Sequence, residues 1–109
     1  MRNINDIEKR NYGTFYSMNG LVKGMVRNPK VWSWGAHNWM NQSDLLLRFT
    51  VNGNLFKGYI FIGVNGKDLF DCYLVNTNGF IKEEVYDIFI EDLIEMIDER
   101  VEKIKNYKW

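Results

Sequence analysis

A chain of 109 residues and 13.0 kDa has the length of one domain over 1–109, and 46% hydrophobic with 16% aromatic residues is the composition of a chain that folds. The single cysteine, Cys72, excludes an internal disulfide framework and a cysteine-rich zinc site, and the single histidine, His37, excludes every metal or catalytic motif that needs two. Fourteen basic and fourteen acidic residues cancel, so no net field draws the chain toward nucleic acid or an anionic membrane.

The polar start, MRNINDIEKRNYG, lacks the apolar core of a signal peptide. The longest purely apolar stretches, such as Tyr59 to Ile62, last about four residues, against roughly 20 for a bilayer crossing. The expectation is a cytoplasmic, reducing setting without membrane contact, which an unpaired thiol suits.

Ile4 and Ile7 suit a short helix face. Phe15, Met18, Val22, Met25 and Val26 follow at helical spacing and predict an N-terminal helix over 14–27, weakened by Gly20 and Gly24. The one proline, Pro29, biases Asn28 away from helical backbone, so that helix ends there. Val31 to Met40 then alternates. Trp32, Trp34, Ala36, Asn38 and Met40 fall on one side, and Ser33, His37 and Trp39 on the other, which predicts a first strand over 31–40.

Alternation continues in three further runs. Leu45, Leu47, Phe49 and Val51 share a face, as do Phe56, Ile60, Ile62 and Val64, and then Phe70, Cys72 and Leu74. Arg48, Thr50, Tyr59, Phe61, Asp71 and Tyr73 take the opposite face. Asn52-Gly53, Asn65-Gly66 and Asn78-Gly79 separate the extended runs and predict type I′ reversals, hence an antiparallel meander. A fifth strand over 80–87 is acidic, as edge strands often are.

Ile90, Leu93, Ile94, Ile97, Val101 and Ile104 form one apolar stripe of a final helix, with Asp87 as the nearest N-cap candidate. Glu91, Glu95, Asp98 and Glu102 make an acidic stripe beside it, read as a solvated face and not as a cation site. The expected class is α+β: an N-terminal helix, an antiparallel meander of four to five strands, and a C-terminal amphipathic acidic helix packed on one sheet face.

The second sheet face is the first candidate surface. Arg48, Tyr59, Phe61 and Tyr73, with His37 and Trp39 joining them, combine a cation with flat rings. Such a face is a second core layer if the N-terminal helix covers it. If open, it serves a protein partner or a homodimer, since Trp, Tyr and Arg dominate interface hot spots. Single-stranded nucleic acid is the alternative occupant, with bases stacking on the rings. His37 has no companion nucleophile in sequence, and Cys72 lies among apolar residues, so no catalytic set, metal or cofactor is expected.

Charge is unevenly spread. Residues 1–50 carry seven basic and three acidic residues, and residues 51–109 carry seven and eleven. From Lys9 to Ser43 there is no acid, while Glu83 to Glu102 holds nine. The leading reading is internal complementarity between the two segments. The acidic helix, through Glu95 and Glu102, also suits a basic partner surface, and the basic segment suits nucleic acid.

The Asn-, Ile-, Lys- and Phe/Tyr-rich composition resembles that of small proteins of phages and mobile elements from AT-rich genomes. That resemblance implies an accessory protein that inhibits a host nuclease or defence protein. The helix–meander–helix order is similar to double-stranded-RNA-binding domains, but the final helix here is acidic where those carry a basic cluster. The expected function is therefore a non-enzymatic module that binds another protein, with single-stranded nucleic-acid binding as the alternative.

Overall fold

A computed structural model describes residues 3–8, 18–43, 46–65 and 67–102. The fold is α+β. Three short helices, α1 (Ile4–Glu8), α2 (Met18–Val26) and α3 (Pro29–Ser33), precede five strands. These are β1 (His37–Ser43), β2 (Leu46–Asn52), β3 (Lys57–Val64), β4 (Phe70–Val75) and β5 (Ile81–Ile88), and helix α4 (Ile90–Val101) follows. The strands form one antiparallel sheet in the order β1-β2-β3-β4-β5, so each is paired with its sequence neighbour and the acidic β5 lies at an edge. Among the described residues, no helix is long and apolar enough to cross a membrane.

The predicted helix over 14–27 is α2 where it is described, and 14–17 lie outside the described residues. The predicted first strand over 31–40 is corrected: 29–33 is helical and the strand begins at His37. Asn28 is the N-cap of α3, its side chain accepting from the Lys30 N–H at 2.9 Å, and Pro29 occupies the first helical position. An acceptor side chain followed by a residue with preset φ opens a helix as readily as proline ends one. Trp32 and Trp34 consequently do not share a strand face. Trp32 is 68% exposed and Trp34 is fully buried.

Alternation in the middle strands holds residue by residue. Leu47, Phe49, Val51, Ile60, Ile62, Cys72 and Leu74 form one core with Leu93, Ile97 and Val101 of α4. Met25, Val31 and Trp34 from the second and third helices join that core. Leu45 and Ile104, expected to extend the two apolar rows, lie outside the described residues. The end of α4 is anchored by the β2–β3 connection. The Val101 carbonyl accepts from the N–H groups of Leu55 (2.7 Å) and Phe56 (3.2 Å), satisfying an acceptor that a helix end leaves over. Gly53 packs so closely there that a Cβ would lie 2.4 Å from both the Val101 carbonyl oxygen and its Cγ1.

The reversals fall where the Asn-Gly pairs predict, but their geometry is corrected. Type I′ turns need positive φ at both central residues. Among the described residues, Asn38, Asp68 and Asp87 are the non-glycines with positive φ, so Asn52, Asn65 and Asn78 lack it. The β3–β4 and β4–β5 turns instead repeat one pattern. The Asn65 carbonyl accepts from Asp68 N–H at 3.1 Å, and the Asn76 carbonyl accepts from Gly79 N–H at 2.9 Å. In each, the asparagine side chain also accepts from the N–H two residues on, at 2.9 Å from Lys67 and 3.0 Å from Asn78. Among the described residues of these turns, the left-handed one is the fourth, Asp68 (φ 60°) or Gly79 (φ 88°). Asparagine therefore starts these turns by mimicking a backbone carbonyl.

Asp87 does not cap α4. Phe89 holds the N-cap position, and the Asp87 carboxylate accepts from Asn65 Nδ2 (2.8 Å) and Lys67 Nζ (3.3 Å). The acidic stripe is also not wholly solvated. Asp98 is 3% exposed, and its carboxylate accepts the Trp34 indole N–H at 2.9 Å.

Candidate functional site

The second sheet face is built from two rows that cross all five strands. One runs Met40, Arg48, Phe61, Tyr73, Glu84, and the other His37, Thr50, Tyr59, Val75, Ile81. Both rows depend on a β-bulge in the first strand. His37 pairs with Thr50 and Met40 pairs with Arg48, leaving Asn38 and Trp39 opposite Phe49 alone. Asn38 takes φ 56°, a left-handed conformation that asparagine tolerates better than most residues. The extra residue returns Met40 to the face of His37 and sends Trp39 to the other side. There the Trp39 ring stacks on Phe49, with centroids 4.2 Å apart. The expectation that Trp39 shares the face of His37 is corrected by this bulge.

One end of the face is closed. Phe61 and Tyr73 are buried in a cluster with Ile7, Leu46 and Val75, against which Ile4, Tyr59 and Ile81 pack. The first helix reaches this position through the β4–β5 turn, where Ile4 N–H donates to the Gly79 carbonyl at 3.2 Å and Asn3 bridges to Phe80. Asp71, predicted on the same face, is buried as well. Its Oδ1 accepts from Asn65 Nδ2 (2.9 Å) and Asp87 N–H (3.0 Å), so it ties the β3–β4 turn to the end of β5.

The other end holds a pocket of about 400 Å³ lined by Asn38, Trp39, Met40, Arg48, Thr50 and Tyr59. The Arg48 guanidinium lies 4.4 Å from the Tyr59 ring centroid and 5.9 Å from that of Phe61. A planar cation held on a ring keeps its charge directed and loses little freedom when it meets a partner. Met40, 48% exposed, supplies adaptable apolar surface at the rim. The arrangement offers a cation, a phenol, a hydroxyl, an amide and a thioether around one concavity.

The other predicted residues do not line the pocket. His37 is exposed, with Nδ1 2.7 Å from the Gly35 carbonyl, which that nitrogen can approach only as a donor. Glu95 pairs with Lys30, and that hydrogen bond holds the lysine ammonium above its ordinary pKa. Glu102 accepts the Asn54 N–H at 2.6 Å. The pairing of Lys30 with Glu95 is the internal complementarity expected between the basic segment and the acidic helix. Cys72 is buried, and burial pushes its thiol up. Among the described residues, no group of three or more His, Cys, Asp and Glu is placed to hold a metal ion.

Sequence reasoning missed Asn38 and Met40 at the pocket. An asparagine followed by an aromatic residue inside an alternating run was the available signal for a bulge. No protein-family model, no curated protein and no solved structure matches the chain.

Proposed function

We propose that this chain is a non-enzymatic binding module that contacts another protein through the pocket at the β1–β2–β3 end of the sheet. The observation that carries this is Arg48 lying on the Tyr59 ring beside exposed Met40. Arginine, tyrosine and methionine are enriched where protein interfaces concentrate their binding energy, and a pre-oriented cation lowers the cost of association. Glu95 and Glu102, the acids that suit a basic partner, already make contacts within the chain. The pocket therefore carries the reading more than the acidic helix does.

Site-specific photo-crosslinking tests it. A photoreactive phenylalanine at position 40 should yield a discrete protein adduct in the cell that makes the chain, and the same group at Thr77, in the distant β4–β5 turn, should not. Arg48→Ala should reduce the adduct. Equal labelling from both positions would overturn the proposal. Single-stranded nucleic acid is the competing occupant, and burial of Phe61 and Tyr73 leaves it Tyr59 as the accessible ring of the three. Crosslinking of position 40 to an oligonucleotide, fading as salt rises, would replace the protein reading with that one.

A further inference from the structure

We infer that a second copy of this chain docks, by a two-fold rotation, on the side of the molecule formed by α2, α3 and α4. This side lies across the sheet from the pocket, because the three helices pack on the face of Phe49, Ile60 and Ile62. The inference therefore stands apart from the proposal above.

Three observations carry it. The first is apolar exposure. Among the described residues Trp32 is the most exposed large hydrophobic residue at 68%, and Val26 beside it, Phe89 and Ile90 are exposed too. The Trp32 indole N–H donates to the Val26 carbonyl, so the ring is pinned at the α2–α3 corner and not free to fold away. A ring fixed in place before contact gives up little entropy on binding.

The second is charge. Lys23 and Arg27 are exposed at this corner, and Glu91, Asp92 and Glu99 are exposed on α4. Each patch thus combines apolar surface with one sign of charge, and the two signs are opposite.

The third is adjacency. Lys30 pairs with Glu95, and Trp34 with Asp98, so α3 runs alongside α4 and both patches share one side of the molecule. A two-fold axis between two such surfaces places each basic corner on the other copy's acidic helix, twice. A partner of uniform charge would be repelled by one patch wherever the other attracted it. A second copy meets both.

Sedimentation equilibrium on the full chain tests this, from about 1 μM to about 1 mM protein and at about 0.05 M and about 0.5 M salt. A monomer–dimer equilibrium that weakens with salt is expected. Trp32→Ala should weaken it by at least about tenfold. The double reversal Lys23→Glu with Arg27→Glu should abolish self-association, as should Glu91→Lys with Asp92→Lys. Mixing those two variants should restore a dimer, since each carries the charges the other lacks. Arg48→Ala, in the pocket, should leave the dimer constant unchanged. A monomer at every concentration in low salt overturns the inference. So does a dimer that both reversals leave intact, or one that Arg48→Ala dissociates, which would place self-association at the pocket.

Discussion

The Trp34 indole N–H donates to the Asp98 carboxylate at 2.9 Å, and both residues are buried between α3 and α4. This bond joins positions 64 residues apart and fixes the angle at which the third helix meets the last. Trp34 also lies parallel to Phe49, with ring centroids 6.4 Å apart, so one side chain links helix, helix and sheet. A buried carboxylate needs donors, and a buried indole needs an acceptor.

Trp34→Phe removes one donor from a carboxylate that is 3% exposed. The expected loss is about 1–3 kcal/mol in urea unfolding, with Asp98→Asn losing less because its amide keeps an acceptor oxygen. Full stability in Trp34→Phe would show that the bond does not hold the helices.

Gly53→Ala should destabilise by roughly 1–3 kcal/mol, because the new methyl meets the Val101 carbonyl oxygen at 2.4 Å. Val101→Ala should rescue it only in part, since it removes the Cγ1 contact and leaves the backbone oxygen in place. A double variant still less stable than Val101→Ala alone, measured by thermal or urea unfolding, is the expected outcome.

Gly79→Ala tests the turn geometry. Nothing lies within 4 Å of the position its Cβ would take, so any loss reports the left-handed φ of 88° alone. The expected cost is about 1–2 kcal/mol, with Gly79→Asn costing less. A neutral alanine would contradict the turn described here.

Cys72 predicts a dependence on alkaline pH. Burial raises its pKa above the ordinary 9.0, so the folded thiol stays protonated where the unfolded one ionises. Its contribution is complete below about pH 9 and is lost as pH rises further, by up to about 1.4 kcal/mol per unit. Relative to Cys72→Ala, the wild type should lose about 2 kcal/mol between about pH 8 and about pH 10.5. A thiol reagent should label the native chain at pH 8 only as it unfolds, and rapid native labelling would contradict this burial.

The period-two runs made the sheet legible. Leu47, Phe49 and Val51 on one face and Arg48 and Thr50 on the other can be read directly, because both faces of a middle strand obey the same alternation. What was not legible depends on partners distant in sequence. Asp98 reads as solvated because it shares its helix stripe with three other carboxylates, and the indole that meets it, Trp34, is 64 residues away. The shift at Asn38 is one residue long, yet it exchanges the faces of Trp39 and Met40, and alternation alone cannot register it. Pro29 reads as a stop signal, in agreement with the end of α2 at Val26, but Asn28 before it also makes it a start.

The pocket reading depends on a second sheet face that is closed over Phe61 and Tyr73 and accessible around Arg48, Tyr59 and Met40. Hydroxyl-radical footprinting of the native chain, resolved by residue, measures this directly. Oxidation of Met40 and Tyr59 should be fast, while Phe61 and Tyr73 stay protected until the chain unfolds. Labelling of Phe61 and Tyr73 at the rate of Tyr59 would show an open aromatic face and contradict the account.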